Sequence, residues 1–339
     1  MIAVGVDTHK ERHHAVALDH LGQILAELVC TASAAGYPEL QDWAEALAAM
    51  GELVFAIEGA GSWGAGLCEH LQHAGHRVLE VERPRRRDRR AGKSDRIDAI
   101  AAAKRVLADE NVSIPRGRGI LTALRALVIA RRSVVAERTR VLNQLHALTA
   151  TAPIALRDRI GHGTGNPLER KILSLRARAH ATIDERVAFA VLRDLASRSR
   201  HLGDDAKRYQ TELAQLVRSL DATLLDEPGI GPISAAKLLA CDPTRFKTEA
   251  AFARCNGTAP IPASSGKTVR YRLNPGGDRQ ANNAIHTIAI IRAKHQPETR
   301  AYLERRMKEG KTRREALRSL KRHIPRELYH RLVPIPLTS

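Results

Sequence analysis

The chain has 339 residues, with 55 Lys and Arg against 37 Asp and Glu, a formal net charge of +18. That length allows two or three domains with sizeable cores, and a hydrophobic share of 43% excludes wholesale disorder. The charge surplus points to a polyanionic partner, nucleic acid first. No apolar run approaches the roughly 18 residues of a membrane span.

Ile2 to Asp7 is a short β-branched run, and His14 to Leu18 and Gln23 to Val29 read as two further strands, with Gly22 suited to the turn between them. A helix with Leu40, Trp43, Ala44 and Leu47 on one face runs to about Met50. Leu53 to Ile57 is a fourth strand, and Gly59 to Gly61 leads into a helix to about Ala74. Arg77 to Val81 is a fifth strand, and Ser94 opens a helix to about Leu107. The predicted order, β-β-β-α-β-α-β-α, is the layout of a ribonuclease-H-like domain, here residues 1–112.

Residues 113–222 are Arg-, Ala- and Leu-rich helix. Leu121, Val128, Val135 and Leu142 recur every seven residues, while Leu124 and Leu145 fit a companion seam that Arg131 and Arg138 interrupt. This predicts a long helical hairpin, broken at Gly161 to Pro167, serving as a linker or oligomerisation region. Residues 223–332 form a third unit, mostly helical, with a turn-rich insert and a basic helix from Thr312 to His323. The fold class is therefore α/β followed by all-α.

Four carboxylates stand out. Asp7 ends the first strand, Glu58 ends the fourth, and Asp95 and Asp98 lie three apart near a helix start, on one face. Singly, each has an ordinary explanation: Asp95 complements a helix dipole behind a Ser94 cap, Asp98 pairs with an arginine, Glu58 sits on the surface. Together, acids at strand ends and a helix start can converge on one point, where they repel unless a cation lies among them. Hard oxygen ligands suit Mg²⁺ or Mn²⁺, and such ions serve attack at phosphorus.

Six arginines crowd Arg83 to Arg90, directly before the Asp95 helix, and Arg85, Arg86 and Arg87 are candidate phosphate-backbone contacts. Aromatic residues are only 3% of the chain, which favours backbone and shape recognition over base stacking. The turn Pro228-Gly229-Ile230-Gly231 feeds a helix, as in half of a helix-hairpin-helix. There Gly229 and Gly231 either let backbone N–H groups hold a phosphate or simply make a tight turn. Ser264 and Ser265 precede Gly266, with Lys267, Arg270 and Arg272 close behind, but no Ser/His/Asp set accompanies them. The cysteines, Cys30, Cys68, Cys241 and Cys255, are scattered, which rules out a disulfide framework, disfavours a zinc site and fits a reducing cytoplasm.

The motifs VGVDTHK, AIEGAGSWG, GKSDRIDA, EPGIGPISAAKLLA and APIPASSGKTVRYRLNPGGDRQANNAIHTIA resemble those of the DEDD transposases of the insertion sequence 110 family, over residues 1 to about 330. The resemblance implies a RuvC-like N-terminal domain in which Asp7, Glu58, Asp95 and Asp98 bind metal. It implies that Ser265, in preference to its neighbour Ser264, attacks DNA and forms a phosphoserine link. It further implies a composite site shared between protomers of a dimer or tetramer, and a structured noncoding RNA that pairs with donor and target DNA. Asp278 departs from the family's Asn after the glycine, so altered local hydrogen bonding is expected there. Lys267, Arg270 and Arg272 are placed to neutralise the scissile phosphate. The rival readings are a junction resolvase that uses water and a non-catalytic nucleic-acid-binding protein.

Overall fold

Seven successive buried residues, Ile2–Thr8, form β1, the strand around which the N-terminal part of the chain is built. In this computed structural model the described residues are 1–81, 94–109, 112–262, 271–272 and 274–334. β1 pairs antiparallel with β2 (Arg12–Leu18) and parallel with β4 (Leu53–Glu58). β3 (Ile24–Thr31) extends one side, and β5 (Arg77–Val81) and the short β6 (Val112–Ser113) extend the other. The six-stranded order is β3-β2-β1-β4-β5-β6. The predicted strand and helix order holds, with β6 an addition that the sequence reading did not anticipate.

Strand periodicity sorts the core into two layers. Ile2, Val4 and Val6 of β1 and Phe55 and Ile57 of β4 face α1 (Gly36–Glu45) and α2 (Ala65–His73), which contribute Leu40, Leu67 and Leu71. The alternate residues Ala3, Val54 and Ala56 face α3 (Asp95–Leu107), which contributes Ala99, Ala102, Ala103 and Val106. Gly5 shares that second face. A Cβ there would lie 2.0 Å from the Ala99 carbonyl oxygen and 2.6 Å from the Ala103 nitrogen, so the helix rests directly on the strand backbone.

The chain divides into two compact units, residues 1–118 and 119–339. In the second, α4 (Ile120–Thr151) and α7 (Ile183–Leu220) pack along one another as the predicted hairpin. Its reversal is longer than the expected break. Two short helices, α5 (Ile154–Ile160) and α6 (Gly165–Ser174), fill it, and their Leu156, Ile160, Leu168 and Ile172 form a small core with Leu145, Phe189 and Leu192. At the other end Leu121, Leu124, Val128, Leu213 and Val217 join the core of α8 (Pro232–Ala240), α9 (Glu249–Cys255), α10 (Arg279–His295), α11 (Pro297–Lys308) and α12 (Arg313–Leu332). The expected boundary near residue 222 therefore falls inside one packed unit. A two-stranded ribbon, β7 (Ile261–Pro262) and β8 (Tyr271–Arg272), marks the turn-rich insert. The basic helix continues beyond His323 to Leu332, through Pro325, from a capping box between Thr312 and Glu315.

The arginines that interrupt the hairpin seam have partners. Arg131 Nη2 donates to Gln210 Oε1 at 3.3 Å. Arg138 donates to the Ser199 carbonyl at 3.0 Å, to Asn166 Oδ1 at 2.6 Å and to Glu169 Oε2 at 3.1 Å, and the Ser199 hydroxyl donates to the same Glu169 oxygen at 2.6 Å. Glu169 and Ser199 are buried, while Asn166 and Gln210 stand at the exposed rim of this layer. Glu169→Ala strips the carboxylate from both donors and is expected to cost about 2 kcal/mol, since the buried Ser199 hydroxyl loses its acceptor while Arg138 keeps the Ser199 carbonyl and Asn166. Urea unfolding followed by far-ultraviolet ellipticity measures the loss; a midpoint equal to wild type would show the layer to be dispensable.

Candidate metal centre

The alternation that buries the sheet also places the acids. Asp7 follows Ala3 and Gly5 on the α3 side of β1, and Glu58 follows Val54 and Ala56 on the same side of β4. The two strands are parallel neighbours in register through Val6 and Ile57, so both acids stand at the same end of adjacent strands. Thr8 Oγ1 donates to the Glu58 carbonyl at 2.7 Å and ties those ends together. The first turn of α3 carries Asp95 and Asp98, with Asp98 on its buried stripe beside Ala99 and Ala102. Ser94 caps this helix, its Oγ accepting from the Ile97 N–H at 3.3 Å, so the capping explanation and the clustering of acids both hold.

Asp7, Glu58 and Asp98 are buried, whereas Asp95 is exposed. Burial pushes the Asp7 carboxyl above its ordinary value; His9 draws it down, and Asp98 and Asp95 raise it further. Among the described residues no Lys or Arg forms an ion pair with Asp7, Asp95 or Asp98.

A side chain that sits among them was not singled out from the sequence. His9 Nε2 lies 3.1 Å from Asp7 Oδ2 and 3.3 Å from Asp95 Oδ1, and ligand atoms of all three side chains fall within 4.8 Å of one another. Two carboxylates at that spacing repel by about 3 kcal/mol at an effective dielectric near 20. Oxygen donors on a buried floor, one exposed acid at the rim and a half-exposed imidazole between them fit a hard divalent ion. The HK that follows VGVDT was the available signal, but one histidine among fifteen in the chain does not announce itself.

The remaining candidates are placed separately. Gly229 adopts φ +83°, where a side chain is strained, and Gly231 is the N-cap of α8, with the intervening Ile230 buried in the core. Arg292 Nε donates to the Pro228 carbonyl at 2.8 Å and its Nη1 and Nη2 reach Glu327 at 2.8 and 3.1 Å, so the turn is held from α10 and α12. Asp278, the departure from the family pattern, caps α10 by accepting from Gln280 N at 2.8 Å and Ala281 N at 3.1 Å, the job an Asn oxygen would do. Arg272 is exposed on β8. Arg85, Arg86, Arg87, Ser264, Ser265, Lys267 and Arg270 lie outside the described residues.

Two family models match. One, for the DEDD transposase of IS110 and described as "Transposase", covers residues 4–152, and one described as "Transposase IS116/IS110/IS902 family" covers residues 221–304. The chain is 27% identical to the "Insertion element IS900 uncharacterized 42 kDa protein" of Mycobacterium paratuberculosis, over 94% of this chain and 92% of that one. Among the described residues no helix is long and apolar enough to cross a membrane. Acids gathered at one sheet edge and both halves of the family pattern agree: the chain belongs to the IS110 family of DEDD transposases, divalent-metal enzymes of DNA transposition.

Proposed function

We propose that the protein cuts and rejoins DNA to mobilise an insertion sequence, with Asp7, Glu58, Asp95 and Asp98 holding Mg²⁺ or Mn²⁺ and Ser265 as nucleophile. The observation that carries the reading is the gathering of Asp7, Glu58 and Asp98 on the α3 side of one sheet edge, with Asp95 and His9 beside them. Bound there, the ion supplies stabilisation of charge on the leaving and attacking oxygens. Asp7 and Asp98 would fix its position from rigid elements, with the His9 ring within hydrogen-bond distance of Asp7. The Ser265 hydroxyl loses its proton as its oxygen bonds to phosphorus, and the displaced 3′ or 5′ oxygen takes up a proton and leaves. The phosphoserine ester keeps the bond energy, so a second strand can be joined without ATP.

The RuvC-like variant of the ribonuclease-H layout is the finer fold assignment that accompanies this reading. Guidance by a structured noncoding RNA is what the family resemblance implies, and a cytoplasmic setting fits the scattered cysteines. A homo-oligomer is supported by the exposed stripe Ile183, Val187 and Val191 along α7, at helical spacing on the arm assigned to assembly. Arg85, Arg86, Arg87, Gly229, Gly231, Lys267, Arg270 and Arg272 remain the proposed nucleic-acid contacts.

Incubation with element-end DNA and Mg²⁺, followed by a denaturing gel, is expected to show a covalent protein–DNA adduct for wild type and none for Ser265→Ala. Loss with Ser264→Ala instead moves the nucleophile by one residue. Cleavage that survives both substitutions replaces this reading with hydrolysis by water.

A further inference from the structure

A cavity of about 610 Å³ opens within the second unit, at the root of the β7–β8 ribbon. Asn256, just before the ribbon, forms part of its wall, α10 supplies Arg279 and His286, and α12 supplies Arg314, Arg318 and Lys321. The α12 residues are spaced four and three apart and share one face. None of the described residues lining the cavity is Asp or Glu, and none is Phe, Tyr or Trp.

The cations here differ from their neighbours in forming no direct ion pair among the described residues, although Glu315 is near enough for its charge to be felt by Arg318. Farther along α12, Arg326 pairs with Glu249 at 2.7 Å and Arg331 with Asp221 at 3.6 Å. Arg279, Arg314, Arg318 and Lys321 form no ion pair among the described residues. The nearby carboxylates are engaged elsewhere: Glu315 accepts from Thr312 N and Oγ1, both at 2.8 Å, and Asp278 caps α10. Among the described residues, the hydrogen-bond acceptor of Lys321 Nζ is a neutral one, Asn282 Oδ1 at 2.7 Å. Burial, then Arg318, pulls the Lys321 pKa below its ordinary value; burial, then Lys321, does the same to His286. Asn256 is fully buried, and among the described residues its Nδ2 has no hydrogen-bond acceptor. One partly dehydrated lysine, exposed arginines crowded beside it and an orphaned donor around one hollow are a setting that an entering anion would relieve.

We infer that this cavity seats a phosphodiester oxyanion of a bound nucleic-acid strand, held chiefly by Arg279, Arg318 and Lys321. A free nucleotide is a poorer match, because no aromatic face is present to stack its base. A backbone phosphate needs only charge, donors and room. The cavity wall includes Gly257 and Asn274, which lie on either side of residues 263–270 in the sequence. The inference rests on nucleic acid as partner, and on neither the serine nor the metal chemistry.

Fluorescence anisotropy of full-length protein, titrated over a range of salt, tests it with two probes: a duplex DNA of unrelated sequence and an RNA hairpin. Arg279→Gln, Arg318→Gln and Lys321→Gln are each expected to weaken binding about threefold to tenfold and to lower the salt slope by about 0.9 on duplex. Arg322→Gln, an exposed α12 residue that does not line the cavity, is the control. A reduced slope on DNA alone assigns the phosphate to DNA, and on RNA alone to RNA; either supports the site. Slopes matching the Arg322→Gln control on both probes, for all three variants, overturn it. Arg318 is exposed, so its variant keeps the test open if a more buried substitution fails to fold. The Ser265 adduct is scored separately, so either idea can fail while the other stands.

Discussion

Gly5→Val is expected to unfold or loosen residues 1–118 while leaving the helical unit folded. Even the first carbon of a side chain at Gly5 would lie 2.0 Å from the Ala99 carbonyl oxygen, and that atom belongs to helix backbone, which cannot swing aside as a side chain would. Relief requires α3 to lift from β1, which opens the layer formed by Ala3, Ala56, Ala99 and Ala103. The cost is roughly 3 kcal/mol or more, at the upper end for overpacking. Both tryptophans, Trp43 and Trp63, lie in the first unit, so tryptophan emission follows its melting while far-ultraviolet ellipticity is dominated by the second. The tryptophan transition should fall by many degrees with little change in ellipticity. Because Asp95 and Asp98 ride on the displaced helix, Mg²⁺ should also lose its stabilising effect. An unaltered tryptophan transition would mean that α3 does not rest on this strand.

Asp7→Asn is expected to abolish DNA cleavage, by roughly a thousandfold or more, and yet to raise stability in the absence of divalent ions. Loss of a central ligand forfeits several kcal/mol of transition-state stabilisation, at about 1.4 kcal/mol per tenfold in rate. The stability effect has the opposite sign because the Asp7 pKa is raised in the folded protein from its ordinary 3.8. The unfolded chain therefore gives up this proton at lower pH than the folded one. Its contribution to stability declines as pH rises from about 3.8 through the higher folded value, and the deficit persists at neutral pH. An amide at this position never carries the charge. In EDTA the variant should melt above wild type; in Mg²⁺ wild type should gain and the variant should not. DNA binding should be nearly unchanged. A variant that still cleaves, or a wild-type melting temperature indifferent to Mg²⁺, would remove Asp7 from the site.

The order of strands and helices in the first unit was legible because each element carries its own period: two along Ile2–Thr8 and Leu53–Glu58, and helical along Asp95–Leu107. The short helices Ile154–Ile160 and Gly165–Ser174 were read as a break, since Gly161 and Pro167 punctuate them. They hold helical form because Leu156, Ile160, Leu168 and Ile172 are buried against the two long helices, which no local signal records. Arg131 and Arg138 looked like faults in a hydrophobic seam until Gln210, Asn166, Glu169 and Ser199, all distant in sequence, were placed opposite them.

For this protein, then, residue types and spacing alone determined that four acids terminate strands or open a helix, and that the chain seeks a polyanion. Which side of the sheet receives that helix was decided in three dimensions, by a glycine small enough to let Ala99 and Ala103 reach the strand backbone. The same holds for His9 between Asp7 and Asp95, and for cations of two helices facing one hollow with no direct ion pair among the described residues. Periodicity is a property of neighbours along the chain, whereas charge compensation and close approach depend on neighbours in space.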